Sequence, residues 1–229
     1  MARPYGSLAS DSATDKLLPM TTSQARATPT DVLDFWLGDG VLLGWPTQNM
    51  SKRWFGGGAA LDEDIKSRFG PRVLQALNGE LTDWAQTAQT PALGQLALVI
   101  LLDQLTRNVF RGQGRAFSGD EHARQLVLQV IAIKADQQLP WVGRIFLYMP
   151  LIHAETLALQ SECIARFTQL LQDAPEALKE RLQDNLDFAR KHEEIIARFG
   201  RFPYRNAALG RSSTEEEEVF LANGPRFGQ

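Results

Sequence analysis

The residues best suited to chemistry begin with a charged face that follows the most apolar stretch of the chain. Asp103, Arg107 and Arg111 are spaced four residues apart, and Asn108 lies beside them. This spacing places the three charged side chains on one face of a helix. A buried charge must be paired, so an Asp103–Arg107 ion pair between helices is one interpretation. The other is an anion-binding face, because guanidinium groups form paired hydrogen bonds with carboxylates and phosphates.

A histidine close to a proline is the second candidate. His153 follows Pro150 and shares a helical stripe with Leu157 and Ile164, which directs its ring toward the interior. A hydrogen-bonded core histidine is one interpretation. Because imidazole titrates near neutral pH, the other is a general acid or base.

The third candidate is the segment 192–211, where arginines alternate with aromatic residues. The arginines are Arg198, Arg201, Arg205 and Arg211. Such mixtures bind RNA by stacking and phosphate contact, but the net charge of −3 and the pI of about 5.7 argue against nucleic acid as a partner. The alternative is a loop that guanidinium groups tie to the ends of helices.

Several kinds of site are not indicated. The chain has no Gly-rich phosphate loop and no Gly-x-Ser-x-Gly nucleophile turn, and no second histidine follows His192 at zinc-binding spacing. Its single cysteine, Cys163, cannot form an internal disulfide. A metal site from Asp103, His153, Glu155 and His192 lacks the Glu-x-x-His pairs of helical bundles. We therefore predict neither a metal nor a cofactor.

The elements that must position these residues are all helices. The chain has 229 residues, of which 44% are hydrophobic and 22% charged, and no segment alternates like a strand. We predict an all-α domain over residues 29–229 with about eight to ten helices in antiparallel packing. Predicted helices include one that begins at Thr28-Pro29 and ends at Gly38, one kinked or split at Gly70-Pro71, and others at about 92–110, 119–134, 151–171 and 176–198.

The N-terminal residues 1–28 are predicted to form a disordered tail, with Met20 as an alternative start. They contain acids and no apolar core of a secretory signal. The longest apolar run, Leu96–Leu102, is too short to span a membrane. A cytoplasmic location without membrane contact is the resulting prediction; the oligomeric state stays open.

Motifs spread along the chain resemble those of one family. They are Val32–Trp36, Leu101–Gln104 with Arg107-Asn108 and Phe110-Arg111, Arg115–Phe117, Phe146–Pro150, Arg198–Pro203 with Arg205-Asn206, Leu209–Arg211 and Ser213–Glu216. From about Asp31 to Phe227, the chain resembles the bacterial domain-of-unknown-function family 924. The resemblance implies an all-α fold similar to tetratricopeptide arrays, and it implies no established activity.

The chain departs from that family's pattern at several polar positions. Family members usually have Phe-Pro at Leu105-Thr106, Glu-His-Ser-Glu at Ile152–Glu155, and His at Tyr204. The resemblance is therefore compatible with a member whose function differs from that of the rest of the family. The positions that differ are Thr106, Ile152, Ala154 and Tyr204.

These observations lead to one functional hypothesis and two alternatives. We predict a pocket between the central helix and the loop 198–211 that binds a small anionic ligand. In this hypothesis His153 exchanges a proton, and the ligand contacts are Arg107, Asn108, Arg111, Tyr148, Arg201, Phe202, Arg205 and Asn206. The alternatives are a helical-repeat module that binds a protein partner, and a biosynthetic enzyme evolved on the family scaffold.

Overall fold

The computed structural model describes residues 27–224. This part of the chain contains helices and no strand, so the predicted all-α fold is confirmed. The disordered tail predicted for residues 1–28 lies outside the described residues, except for its last two. No helix within residues 27–224 combines the length and apolar character needed to cross a membrane.

Twelve α-helical segments follow one another in the described residues, and eight of them are nine residues or longer. The first half contains α1 (Pro29–Leu37), α2 (Gly40–Leu43), α3 (Ser51–Phe55), α4 (Ala59–Leu77), α5 (Trp84–Thr87), α6 (Pro91–Val99), a π-helical turn (Ile100–Leu105) and α7 (Thr106–Val109). The second half contains a 3₁₀ turn (Gly114–Phe117), α8 (Asp120–Ala132), a 3₁₀ turn (Ala135–Gln138), α9 (Trp141–Ile152), α10 (Leu157–Asp173), α11 (Glu176–Phe199), a 3₁₀ turn (Pro203–Arg205) and α12 (Glu215–Asn223).

The beginning and end of α1 follow from its local sequence. The Thr28 side chain accepts from the backbone N–H of Asp31, whose carboxylate accepts in turn from the Thr28 backbone. Pro29 occupies the first turn, where its missing N–H costs nothing. Gly38 ends the helix with a φ of 59°, a conformation that glycine adopts readily. This predicted helix is confirmed.

The core forms around α6 and the π-helical turn. Residues 96–102, except for Leu98 at 7%, are fully buried, as an apolar helix surrounded by others must be. α6 packs against α1, α5, α8 and α9. Trp36 of α1 meets Phe146 of α9 edge to face, with ring centroids 5.9 Å apart. Complete burial of such side chains contributes about 1.5–3 kcal/mol each.

The helix expected to kink or split at Gly70-Pro71 is not split, because α4 runs from Ala59 to Leu77 with Pro71 inside it. Its buried residues Ile65, Phe69 and Val73 stay on one stripe, so packing holds the helix together across the proline.

The helix predicted over 151–171 is wrong at its start. α9 continues through Pro150 to Ile152, and α10 begins only at Leu157. The buried amide of Gln160 donates to the carbonyls of Ile152, at 2.6 Å, and Ala154, at 2.7 Å. It thereby satisfies carbonyls that a continuous helix would have bonded internally. His153 consequently lies in a break between helices.

Candidate functional site

A π-helical turn interrupts the central helix where its polar residues begin. The turn spans Ile100–Leu105 and places Asp103 at zero exposure. The carbonyl of Leu101 accepts from the backbone N–H of Thr106, five residues on, and also from the Thr106 hydroxyl at 2.8 Å. π-helical turns inside α-helices are rare and frequently occur at functional sites.

The buried carboxylate of Asp103 contacts the imidazole of His153. Asp103 Oδ1 lies 2.7 Å from His153 Nδ1 and 3.1 Å from Arg107 Nη1, and Gln104 Nε2 donates to Oδ2 at 2.5 Å. Burial alone would raise the pKa of Asp103, but the charge of Arg107 and the contact with His153 hold that pKa well below its usual range. Asp103 is therefore ionised at neutral pH, and His153 Nδ1 carries the shared proton.

His153 is held in its neutral form. Burial is the largest influence and lowers its pKa; the charge and hydrogen bond of Asp103 oppose this, and the positive charges of Arg107 and Arg205 add to the lowering. With Nδ1 donating to Asp103, Nε2 is the acceptor nitrogen. Nε2 has no hydrogen-bond partner within residues 27–224, and 15% of the side chain stays exposed. A base oriented by a carboxylate in this way is suited to proton transfer.

Two arginines from distant segments meet at Asp120, the first residue of α8. Arg107 Nη2 lies 2.9 Å from Asp120 Oδ1, and Arg205 Nη1 lies 3.4 Å from Oδ2. Arg205 also donates to the carbonyl of His153 at 3.1 Å. We name Asp103, Arg107, Asp120, His153 and Arg205 the inner cluster. Its two carboxylates balance its two guanidinium groups.

The hydrogen bonds of the inner cluster are incomplete. Within residues 27–224, buried Arg107 Nε and Nη2 and Arg205 Nε have no hydrogen-bond acceptor, and Asp120 Oδ1 has no donor. The 2.9 Å contact between Arg107 and Asp120 is an ion pair whose N–H direction misses the oxygen. Buried N–H groups are normally paired, so these donors require a further explanation.

Aromatic rings close the cluster from two sides. The guanidinium of Arg205 lies over Phe202, with 4.6 Å to the ring centroid, and over Phe117, at 4.7 Å. Tyr204 stacks on Phe202 with centroids 5.3 Å apart. Burial raises the pKa of the Tyr204 phenol, and nearby Arg205 and Arg107 counteract this only in part. Tyr204 is therefore a neutral phenol beside two cations.

Asn108 and Arg111 are directed to another carboxylate. Asn108 Nδ2 donates to Asp62 Oδ1 at 2.8 Å, and Arg111 Nε donates to Asp62 Oδ2 at 2.6 Å. Asp62 belongs to the first turn of α4. Although Arg111 shares a helical face with Arg107 in sequence, the two side chains bind different acids. Their common role in ligand binding stays a prediction.

Arg201 and Asn206 belong to a network near the C-terminus. Arg201 Nε and Nη2 donate to the two oxygens of Glu217 at 2.6 and 2.7 Å, and Asn206 Nδ2 donates to Glu217 Oε2 at 3.2 Å. Arg211 donates to both oxygens of Glu155, at 2.6 and 2.9 Å. We name Glu155, Arg201, Asn206, Arg211 and Glu217 the C-terminal clasp.

Tyr148 lies apart from these groups. Its hydroxyl donates to Asp136 Oδ2 at 2.6 Å, and its ring meets Phe167 edge to face. Of the predicted site residues, the structure brings together the proton-transfer candidate His153 and the predicted ligand contacts Arg107, Phe202 and Arg205. It gives Asn108, Arg111, Tyr148, Arg201 and Asn206 other partners.

Asp120 is the site residue that sequence reasoning missed. In the sequence it is an acid in the first turn of the helix predicted over about 119–134, a position where acids are common, and in the structure Gly119 is the N-cap residue of that helix. A Cβ on Gly119 would lie 2.3 Å from the carbonyl oxygen of Leu102. Only glycine therefore lets α8 begin against the π-helical turn. A glycine directly before an acidic helix start is the signal that could have indicated this.

Cavities and the single cysteine lie apart from the inner cluster. Two cavities of about 270 and about 800 Å³ are lined by residues outside the inner cluster. Within residues 27–224, no group of three or more His, Cys, Asp or Glu side chains is arranged to hold a metal ion. Cys163 is buried, which raises the pKa of its thiol well above the usual value.

Comparisons with known proteins give similarity without an activity. Residues 32–225 match the model of a family described as bacterial protein of unknown function (DUF924). A solved structure of a protein of unknown function from Agrobacterium tumefaciens is 33% identical, with a TM-score of 0.70 over 86% of this chain and 97% of that chain. No curated protein matches the chain.

Proposed function

We propose that this chain, which belongs to the DUF924 family of bacterial proteins of unknown function, binds a small anionic molecule at the inner cluster. The observation that carries the proposal is the set of buried N–H groups on Arg107 and Arg205 that lack acceptors within residues 27–224. A small molecule with several oxygens, such as a phosphate or a dicarboxylate, supplies such acceptors.

Charge balance ties this binding to a proton. The inner cluster is neutral when Asp103 and Asp120 face Arg107 and Arg205, so an added anion introduces an uncompensated negative charge. Protonation of His153 at Nε2 restores the balance. Anion binding should therefore raise the pKa of His153.

A second function, proton transfer to or from the bound molecule, is favoured by the 2.7 Å contact between Asp103 and His153. The carboxylate fixes the tautomer of the imidazole, and the lowered pKa of His153 keeps Nε2 available as a base. This arrangement supports the enzyme alternative more than the protein-interaction alternative. The tetratricopeptide-like packing and the cytoplasmic location stay predictions.

Calorimetric titration with inorganic phosphate and with malonate, at constant ionic strength, tests the proposal. Arg205→Lys keeps a positive charge at the cluster but removes the Nε–H and the planar fork. We expect it to weaken binding about tenfold, which is the effect of one charge-assisted contact. Arg201→Lys makes the same change in the C-terminal clasp and should leave binding unchanged.

Two results would overturn the proposal. One is the absence of saturable binding of either anion to the wild-type chain. The other is equal affinity in Arg205→Lys, Arg201→Lys and the wild type, with circular dichroism showing that all three are folded.

A further inference from the structure

The smaller of the two cavities outside the inner cluster has the composition of a ligand site. It has a volume of about 270 Å³ and lies among α3, α9, α11 and the loop before α3. Phe146 and Met149 form a buried apolar floor, and Trp45, Trp54 and Phe188 form walls. We infer that this cavity binds a small zwitterion with an aromatic or branched apolar side group, the chemistry of a hydrophobic amino acid.

The aromatic walls are fixed by contacts of their own. Trp54 Nε1 donates to the carbonyl of Trp36 at 2.7 Å. The Trp54 ring lies edge to face against Phe146, with centroids 5.0 Å apart, and perpendicular to Trp45 at 6.3 Å. These contacts hold the walls in place without a ligand, so little ordering is required when an apolar group enters.

Two opposite charges lie at the edge of the cavity. Arg181 and Asp184 are three residues apart on α11 and both line it. The Arg181 guanidinium lies over the Trp45 ring, with 5.4 Å to the centroid. Neither Arg181 nor Asp184 forms a hydrogen bond through its charged group, or an ion pair, with residues 27–224. By contrast, Arg190 on the same helix pairs with Asp187 at 3.1 Å.

The two side chains, a cation and an anion, line the same cavity and do not pair with each other. As a set, they are complementary to a ligand that carries both charges. Arg181 would receive the carboxylate, and Asp184 the ammonium group. The volume of about 270 Å³ lies just below the range of drug-sized ligand pockets, which is about 300–1,000 Å³. It therefore suits a single side chain of an amino acid and not a helix or an extended peptide.

The test is a titration with L-phenylalanine, followed through the indole N–H signals in ¹H–¹⁵N spectra. The chain has five tryptophans, so the reporters can be assigned one by one. We expect saturable shifts at Trp45 and Trp54 and none at Trp84, which is buried elsewhere. 3-Phenylpropanoate, which lacks the ammonium group, and phenethylamine, which lacks the carboxylate, should each bind about tenfold more weakly.

Variants separate the edge of the cavity from the rest of α11. Arg181→Gln should weaken L-phenylalanine binding about tenfold, and Arg190→Gln is the matched control on the same helix. Ser51→Trp should abolish binding, because exposed Ser51 lines the cavity and a large ring there fills it.

Three outcomes would overturn the inference: no saturable shift with L-phenylalanine, equal affinities for the three ligands, or equal effects of Arg181→Gln and Arg190→Gln. Shifts at Trp45 and Trp54 that depend on protein concentration alone would assign the cavity to a second copy of the chain, and would also overturn it. Arg205→Lys should not change these results, so this inference and the anion proposal can fail separately.

Discussion

The inner cluster and the C-terminal clasp use the same residue types but differ in how completely their hydrogen bonds are satisfied. In the clasp, Arg201 and Arg211 each donate to both oxygens of one carboxylate. Neither leaves a buried N–H without an acceptor in the described part of the chain. In the inner cluster, Arg107 and Arg205 share Asp120 and leave three N–H donors unsatisfied.

The completeness of the hydrogen bonds distinguishes arginines that support the fold from arginines that are available to bind a ligand, and residue type alone does not. The clasp ties α12 and the loop 200–214 to the break between α9 and α10, through contacts that need no further molecule. The inner cluster has unsatisfied donors beside an open histidine nitrogen. Arginines that look equivalent in sequence are therefore expected to respond differently to substitution.

The largest effect should come from a residue that supports the inner cluster without a polar side chain. Gly119→Ala places a Cβ 2.3 Å from the Leu102 carbonyl oxygen, so α8 must move away and carry Asp120 with it. We expect a loss of about 3 kcal/mol or more in the free energy of unfolding, measured with urea. Gly58→Ala, where a Cβ meets nothing within 4 Å, is the matched control and should change stability by less than about 1 kcal/mol. Equal effects would contradict the packing of α8 on the π-helical turn.

The next effect compares one carboxylate from each network. Asp103→Asn removes one of the two carboxylates that face Arg107, which is 11% exposed, and leaves only Asp120, shared with Arg205. It should cost about 3 kcal/mol. Glu217→Gln leaves Arg201, which is 29% exposed and can be hydrated, and should cost about 1–2 kcal/mol. Denaturant unfolding of both variants gives the two losses in the free energy of unfolding, which can then be compared. A larger loss for Glu217→Gln would reverse the assignment of the two networks.

The buried histidines and the C-terminal clasp should also lose stability in different pH ranges. Burial lowers the pKa of His153 and lowers that of His192 to about 3, both from 6.5. The unfolded chain therefore binds more protons below pH 6.5. As the pH decreases below 6.5, the free energy of unfolding should decrease, by about 1.4 kcal/mol per pH unit for His192 and by a further amount for His153.

The clasp should persist to lower pH, because the hydrogen bonds from Arg201 lower the pKa of Glu217 from 4.5 to about 2. Its contribution is present above pH 4.5 and is lost between pH 4.5 and 2. Unfolding curves at pH 7.0, 5.5 and 4.5 measure the contribution of the histidines separately, because the clasp keeps its contribution above pH 4.5. His192→Asn should reduce the slope between pH 6.5 and 4.5. A flat profile in the wild type would contradict buried neutral histidines.

The smallest effect is expected at Arg111. Its side chain is 45% exposed and pairs with Asp62, so Arg111→Gln should cost about 0–1 kcal/mol. The affinity of the Arg111→Gln variant for phosphate or malonate, measured by calorimetry, should equal that of the wild type. A loss of affinity as large as that of Arg205→Lys would extend the site to Asp62 and confirm the original prediction for Arg111.

Features set by local sequence could be predicted, and features set by distant contacts could not. α1 and α12 begin where Thr28 and Thr214 form capping boxes within three residues, so their starts are legible in the sequence. The break at His153 depends on Gln160, which reaches back to Ile152 from the next helix. No local pattern records that contact.

The candidate site divides in the same way. An ion pair between Asp103 and Arg107 is one of two interpretations of their spacing, and the pair is present at 3.1 Å, within one helical segment and not between helices. The separation of Arg111 from Arg107 depends on Asp62, which lies 49 residues before Arg111, and Asp120 enters the site through the close approach of Gly119 to Leu102. Such partners are chosen by packing, which periodicity alone does not specify.

The most direct test of the account is the titration of His153 by NMR. The chain has three histidines, so His153→Gln identifies the signal. We expect His153 to titrate below 6.5 in the free protein and at higher pH when saturating phosphate or malonate is present. A His153 signal that titrates at or above 6.5 in the free protein, or that is unaffected by both anions, would contradict the account.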